Sequence, residues 1–174
     1  MVVNSNDDIF FVIDRDYLSK SRTLHLLKYN QAGAQVWSKQ LGANGVHLWV
    51  HGWAADDRES FYLFGHVASS LGRENMGKTD AFFAKPNKGG EDMFIAAYNQ
   101  TGALLWKDQL GTGASERAEG ICLDDTKNVY LCANTLGSTA RQNNGTGNVY
   151  IVRFDDKELE TPAKELGSIE DPST

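Results

Sequence analysis

The sequence repeats itself at a nearly constant spacing, and this repetition restricts its fold more than any other feature. The pattern Y-N-Q-x-G-A-x-x-W-x-x-Q-L-G occupies residues 29–42 and occurs again at residues 98–111. A second pattern, G-apolar-small-x-D-D-x-x-x-apolar-Y-L, begins at Gly52 and again at Gly120. Units that recur at a fixed spacing fold as supersecondary elements that stack on one another. The chain is therefore expected to be an array of equivalent units.

A third and weaker copy lies near the end of the sequence. Residues 149–154 match residues 93–98, but Pro162 stands where the second copy has Trp106. Extending the second pattern backward aligns residues 2–10 with residues 122–130, so the chain begins within a unit. This phase predicts either a fragment of a longer array or an inner strand supplied by another molecule.

Each unit has the pattern of four short strands. In the clearest unit the strands are predicted at about residues 52–55, 60–65, 92–98 and 103–109. The turns at residues 30–33 and 99–102 end in glycine, which adopts positive φ without strain. Four antiparallel strands per unit are typical of a propeller or a sandwich, and the fixed repeat favours the propeller.

The predicted fold class is therefore all-β, a β-propeller fragment of about three four-stranded antiparallel blades. The chain is interpreted as a single propeller segment. Its predicted parts are a partial first blade at 1–42, with only strands two to four of its unit, a second blade at 46–111 with an insertion at 66–91, a third blade at 114–167, and a tail at 168–174.

The motif between Asp92 and Tyr130 resembles a known family. It has the form D-x-F-x-A-x-Y-N-x-x-G-x-x-x-W-x-x-Q-L-G, followed by G-I-x-x-D-x-x-x-N-V-Y, and is similar to the SBBP repeat. The resemblance implies a β-propeller in a large bacterial cell-surface or secreted protein, and it brings no catalytic residues. Lys127 and Glu59 stand where the repeat usually has glycine, so these two turns are expected to differ in geometry.

Composition and motifs favour a non-enzymatic structural scaffold or protein-binding module. The net charge of −6 argues against nucleic acid as a partner. The sequence has no apolar run of the roughly 18 residues that a membrane helix needs, and no signal peptide is visible. No cofactor is expected. The alternative is a fragment of a pyrroloquinoline quinone propeller dehydrogenase, because the G-x-x-x-W pattern also resembles the blades of those enzymes.

Three blades cannot close a ring, since closed propellers have four to eight. A protein partner or the remaining blades of a longer chain are therefore expected. Long loops of repeat scaffolds often bind partners, so the insertion is the candidate binding region, with neutral expansion as the alternative interpretation. Its candidate partner-binding residues are Arg73, Glu74, Asn75, Met76 and Lys78.

Acidic and histidine residues are interpreted as structural. The pairs that begin at Asp56 and Asp124 recur at the same turn, and the calcium-loop pattern D-x-D-x-D-G is absent from the sequence. His47 and His51 lie about 13 Å apart if both are on one strand. No metal site is predicted.

The tryptophans and cysteines are predicted to contribute to packing. Trp37 and Trp106 are predicted to lie between adjacent blades, each with its indole N–H bonded to a backbone carbonyl. Cys122 and Cys132 are expected nearly opposite each other on one hairpin, because its turn lies near Lys127, and they are interpreted as small buried apolar residues rather than as a disulfide. Asn99 and Asn144 begin glycosylation tripeptides, which are common by chance.

Overall fold

The chain folds into sheets of antiparallel strands. The computed structural model describes residues 1–4, 6–15, 23–41, 48–56, 60–67, 90–138, 148–154 and 164–169. Within these residues there is no helix, and therefore none that could span a membrane. The described strands form three four-stranded sheets, each with its strands in sequence order. The all-β prediction is confirmed.

The strands are as follows. The first sheet contains β1 (Val2–Val3), β2 (Ile9–Arg15), β3 (Thr23–Tyr29) and β4 (Gln35–Leu41). The second contains β5 (Leu48–Ala55), β6 (Phe61–Val67), β7 (Asp92–Tyr98) and β8 (Leu104–Leu110). The third contains β9 (Glu116–Leu123), β10 (Val129–Thr135), β11 (Asn148–Phe154) and β12 (Lys164–Ile169).

The sheets differ from the sequence prediction mainly at their first and last strands. The first sheet was expected to contain only three strands, but β1 pairs with β2 through Val2 opposite Phe10 and Val3 opposite Ile9. The strand β5 begins four residues earlier than the predicted 52–55, and β12 extends into the predicted tail. The third strand of the second sheet has the predicted bounds, 92–98.

One turn design joins strands throughout the described chain. In each case the N–H of an Asn or Asp donates to the carbonyl four residues later, and the N–H of that later residue donates back to the Asx Oδ1, at 2.8–3.0 Å. This pairing fixes a compact loop between antiparallel strands. The five turns of this kind among the described residues begin at Asn4, Asn30, Asp56, Asn99 and Asp124.

The fourth position of these turns takes the left-handed conformation. Gly33 and Gly102 have φ values of 75° and 72°, and Lys127 has φ 70° at the equivalent position. Lys127 was expected to change the turn geometry because it replaces the usual glycine. That expectation is wrong, since the backbone keeps the glycine conformation and the lysine adopts it under strain. Glu59, the other departure, lies outside the described residues.

The second sheet lies between the other two. Every residue of β6 and β7 is buried, although neighbouring side chains along a strand point to opposite faces. Phe61, Leu63 and Phe94 pack with residues of the first sheet, among them Phe10. The side chains on the opposite face pack with the third sheet, and Phe64, for example, belongs to the same buried cluster as Leu131. Strands β1 and β5 are in contact, and β9 lies against β5, β6 and β7.

The sheets therefore stack in a consistent orientation. We call the face of a sheet that points toward the later sheet its front, and the opposite face its back. The front of the first sheet packs on the back of the second, and the front of the second packs on the back of the third. Two faces remain, the back of the first sheet and the front of the third.

Candidate binding surface

Trp37 and Trp106 hold the sheets together from equivalent positions on β4 and β8. The Trp37 indole Nε1 donates a 2.7 Å hydrogen bond to the carbonyl of Gln100, in a turn of the second sheet. Its ring stacks with Phe61 at 6.1 Å. Trp106 stacks on Phe154 of the third sheet, with centroids 5.4 Å apart. The predicted inter-sheet packing is confirmed for both indoles, and the predicted carbonyl bond is confirmed for Trp37.

These contacts also account for the pattern that resembles the quinoprotein blades. Both indoles of the G-x-x-x-W pattern are in contact with aromatic rings of a neighbouring sheet. Gly102 also belongs to this contact, because a Cβ at that position would lie 3.2 Å from the Trp37 ring. The tryptophans thus stabilise the stack.

The predicted binding residues of the insertion fall within residues 73–78. Arg73, Glu74, Asn75, Met76 and Lys78 all lie outside the described residues. The structure does describe the two ends of the insertion, at the close of β6 and the start of β7. The side chains around these ends define the surface from which the insertion leaves the sheet.

Three aromatic rings meet at the close of β6. His66 is only 6% exposed. It stacks on Trp49 of β5, its direct cross-strand neighbour, with centroids 4.8 Å apart. His51 contacts the His66 ring edge-on, with centroids 4.5 Å apart. The sequence interpretation treated the histidines as scattered and considered His47 with His51, but the structure brings His51 and His66 together, and His47 lies outside the described residues.

The protonation of His66 is set by its burial. Burial lowers the pKa of His66, and the Glu91 carboxylate opposes that effect without cancelling it. The Nε2 of His66 lies 3.8 Å from Glu91 Oε1, and its buried Nδ1 has no hydrogen-bond partner among the described residues. A pKa below the usual value near 6.5 leaves the imidazole neutral at pH 7.

Glu91 links the second sheet to the third. Its backbone carbonyl accepts a 2.6 Å hydrogen bond from the N–H of Glu116. Its carboxylate accepts a 2.9 Å bond from Arg117 Nε, whose side chain is 61% exposed. An exposed ion pair of this kind contributes at most about 1 kcal/mol. The backbone bond and the ion pair both join the second sheet to the third.

Two carboxylates are buried behind this surface, at the same edge of the sheets. Glu116 is fully buried and accepts hydrogen bonds from Thr112 N at 2.7 Å and Thr135 Oγ1 at 2.8 Å. Asp92, which is 1% exposed, accepts a 2.8 Å bond from Gln109 Nε2. Hydrogen bonds from neutral donors offset part of the cost of removing these groups from water. Neither carboxylate is accessible to a substrate, so both fix the strand ends.

Glu116 and Thr135 were missed by the sequence interpretation. Their equivalents in the second sheet, 68 residues earlier, are Leu48 and Val67, which are both buried and apolar. The same cross-strand pair is thus apolar in one sheet and hydrogen-bonded in the other. Comparing aligned units for a change from apolar to polar residues would have found the site.

The acidic pair at Asp124 forms a turn, as predicted. Its carboxylate accepts bonds from Thr126, from Asn128 and, at 3.0 Å, from the Tyr130 hydroxyl. These hydrogen bonds hold the pKa of Asp124 well below its usual value, the bond from Thr126 having the largest effect. No group of three or more His, Cys, Asp or Glu residues in the described part of the chain could hold a metal ion.

The cysteine prediction is partly wrong. Cys122 lies opposite Tyr130, and Cys132 lies opposite Gly120, so the two cysteines are diagonal neighbours rather than a facing pair. Diagonal residues are too far apart for a disulfide, and both thiols are free. Cys122 is exposed and Cys132 is partly exposed, so neither is the fully buried apolar residue that was expected.

Comparison with known proteins identifies no family for this chain. No protein-family model matches the chain, and a search of curated proteins finds no match. The resemblance to the SBBP repeat therefore stays a prediction. The described residues define the class as an all-β protein of three stacked antiparallel sheets.

Proposed function

We propose that the chain is a non-catalytic structural or protein-binding module that consists of three successive blades of a β-propeller. The observation that carries the proposal is the second sheet, whose β6 and β7 are buried throughout between two neighbours. A sheet that needs a neighbour on each face is the repeating unit of a propeller. A two-layer sandwich would leave one face of every sheet in water.

Aromatic contacts at both inter-sheet interfaces support this proposal. Phe10 of the first sheet stacks on Phe61 of the second at 4.7 Å. At the next interface, Trp106 of the second sheet stacks on Phe154 of the third. The hairpins that carry the two tryptophans also have the same register, with Lys28 opposite Trp37 and Ala97 opposite Trp106. Stacking in one direction with matching registers favours a modular array.

The polar groups support a structural rather than a catalytic role. The buried carboxylates Asp92 and Glu116 bond to neutral donors at the strand ends, and Asp124 closes a turn. His66 is covered by aromatic rings. The carboxylates of Glu116 and Asp124 accept hydrogen bonds from backbone N–H groups and so stabilise backbone geometry.

A duplicated unit tests the proposal. We would insert a second copy of residues 46–111 directly after Gly111. If the sheets are interchangeable blades, the longer chain should unfold cooperatively, with a larger dependence on denaturant because more surface is exposed on unfolding. The matched control is the same insert with Leu63→Asp on its back face, which should prevent stacking. Separate unfolding of the intact insert would contradict the proposal.

The resemblance to the SBBP repeat adds a proposed location at the cell surface or outside the cell. Protease treatment of intact cells that carry the tagged protein tests this part separately. Digestion of the protein without cell lysis is the expected result. Full protection until lysis would contradict the location and leave the proposed architecture unaffected.

A further inference from the structure

His66 lies buried where the second and third sheets meet. It is the direct cross-strand neighbour of Met93, and Met93 packs with residues of the third sheet. Directly opposed residues of an antiparallel pair share one face, so His66 is on the front of the second sheet. Only 6% of the residue is exposed. A side chain that changes its charge near neutral pH is therefore enclosed at the contact between two sheets.

Two backbone hydrogen bonds join these sheets just before β7. The N–H of Gly90 donates to the carbonyl of Ala114 at 2.9 Å, and the N–H of Glu116 donates to the carbonyl of Glu91 at 2.6 Å. We call these two backbone bonds the junction. The carboxylate of Glu91 lies 3.8 Å from the His66 ring. The junction and the buried histidine therefore share Glu91 as a neighbour.

The protonated His66 ring would lack acceptors for its two N–H groups. An imidazolium donates from both nitrogens. The Nδ1 of His66 is buried and has no hydrogen-bond partner among the described residues. Its Nε2 is 3.8 Å from Glu91 Oε1, which is beyond hydrogen-bond distance, and Glu91 Oε2 already accepts a 2.9 Å bond from Arg117. A proton on the ring would therefore be poorly compensated at this site.

The surrounding charges do not reverse this preference for the neutral ring. Burial has the largest effect and lowers the pKa of His66, whereas the Glu91 carboxylate raises it. Positive charge on His51 or Arg117 lowers the pKa further, and Glu119 raises it to the smallest extent. His51 contacts the ring at 4.5 Å, so two charged histidines would repel each other there.

We propose that His66 is an acid-sensitive switch that weakens the junction between the second and third sheets as the pH falls. The neutral ring packs against Trp49 and His51, whereas the charged ring is better solvated when the sheets separate at this point. This regulation goes beyond the proposed function, because it does not depend on whether the sheets are propeller blades.

The direction of the pH dependence follows from linkage. The pKa of His66 is lower in the folded protein than the value near 6.5 expected for the unfolded chain. The stabilising contribution of the neutral ring is therefore complete above about pH 6.5, and it is lost as the pH falls toward the folded value. One proton changes the opening equilibrium by at most about tenfold per pH unit.

Hydrogen exchange followed by NMR tests the switch. The N–H of Glu116 reports on the junction, because it donates to the Glu91 carbonyl. After correction for the intrinsic exchange rate, its protection should fall between about pH 7 and pH 5. The indole N–H of Trp37, which bonds the first sheet to the second, should keep its protection. Constant protection at Glu116, or an equal fall at Trp37, would overturn the proposal.

A matched pair of variants assigns the effect to His66. His66→Gln removes the titrating ring, so the protection of Glu116 should become independent of pH over the same range. His25→Gln, on β3 of the first sheet, should leave the pH dependence unchanged. A dependence that persists in His66→Gln would overturn the proposal. NMR titration of the His66 ring protons in the unaltered chain needs no variant, and a pKa at or above 6.5 would overturn it as well.

Discussion

Replacing Lys127 with glycine should stabilise the protein. Lys127 has φ 70°, where a residue with a side chain is strained by about 1–2 kcal/mol. Glycine removes that strain, but it loses more backbone entropy on folding, which costs about 0.5–1 kcal/mol. The difference between the two ranges is about 0–1.5 kcal/mol, with a midpoint of about 0.75 kcal/mol. For a chain of this length, that corresponds to a rise in melting temperature of about 1–4 °C.

Denaturant and thermal unfolding of matched variants would measure this gain. Lys127→Ala keeps the Cβ and should leave the free energy of unfolding within about 0.5 kcal/mol of the original. Gly33→Ala is the converse control, because Gly33 has φ 75° and a Cβ there would meet no atom within 4 Å. It should destabilise through backbone strain alone. If Lys127→Gly lowers stability, or Lys127→Ala raises it equally, the argument from backbone strain is refuted.

Three further predictions concern packing and charge. Trp37→Phe removes the 2.7 Å bond to the Gln100 carbonyl and should lower the free energy of unfolding by about 1–3 kcal/mol in urea titrations. Leu63→Ala, at a site 1% exposed, should cost about 2–5 kcal/mol, whereas Leu136→Ala, at a site 64% exposed, should cost less than about 0.5 kcal/mol; equal losses would contradict the core assignment. The lowered pKa of Asp124 means that its carboxylate stabilises the fold above the unfolded pKa near 4, and that this contribution is lost as the pH falls toward the folded value. Asp124→Asn should therefore be less stable at pH 7, and thermal melts should show the difference shrinking below about pH 4; a constant difference would contradict the assignment.

The strands and turns could be predicted from the sequence because local chemistry determines them. The hairpin turns at Asn30 and Asn99 combine an Asx side chain with glycine at the left-handed position. The strand between Asp92 and Tyr98 is rich in apolar residues and is flanked by polar residues and glycine, so its bounds were clear. The inter-sheet position of Trp37 followed from the repeat, since an aromatic residue at a recurring position needs a recurring contact.

The strand register near the cysteines could not be predicted with the same accuracy. The sequence interpretation placed the turn near Lys127, which sets Cys122 against Cys132. The observed turn runs from Asp124 to Asn128, one residue earlier at its centre, and sets Cys122 against Tyr130. A small error in the turn centre changes every cross-strand pair, because register is set by turn geometry.

The surface at the base of the insertion could not be predicted from the sequence, for a different reason. Trp49 and His66 are 17 positions apart in sequence and meet only because β5 and β6 pair. The register shift between Val50 and Gly52 accompanies the contact of His51 with the His66 ring. Such irregularities depend on packing between sheets and leave no local pattern.

The sequential pairing of strands has a mechanical consequence. Within the described sheets, each strand pairs only with the strands that precede and follow it in its own sheet, and all these pairs are antiparallel. Tension applied to the two ends of such a chain opens hydrogen bonds one pair at a time instead of loading a whole ladder at once. The sheets should therefore yield one after another at low force, and each released sheet would lengthen the chain before its neighbour opens.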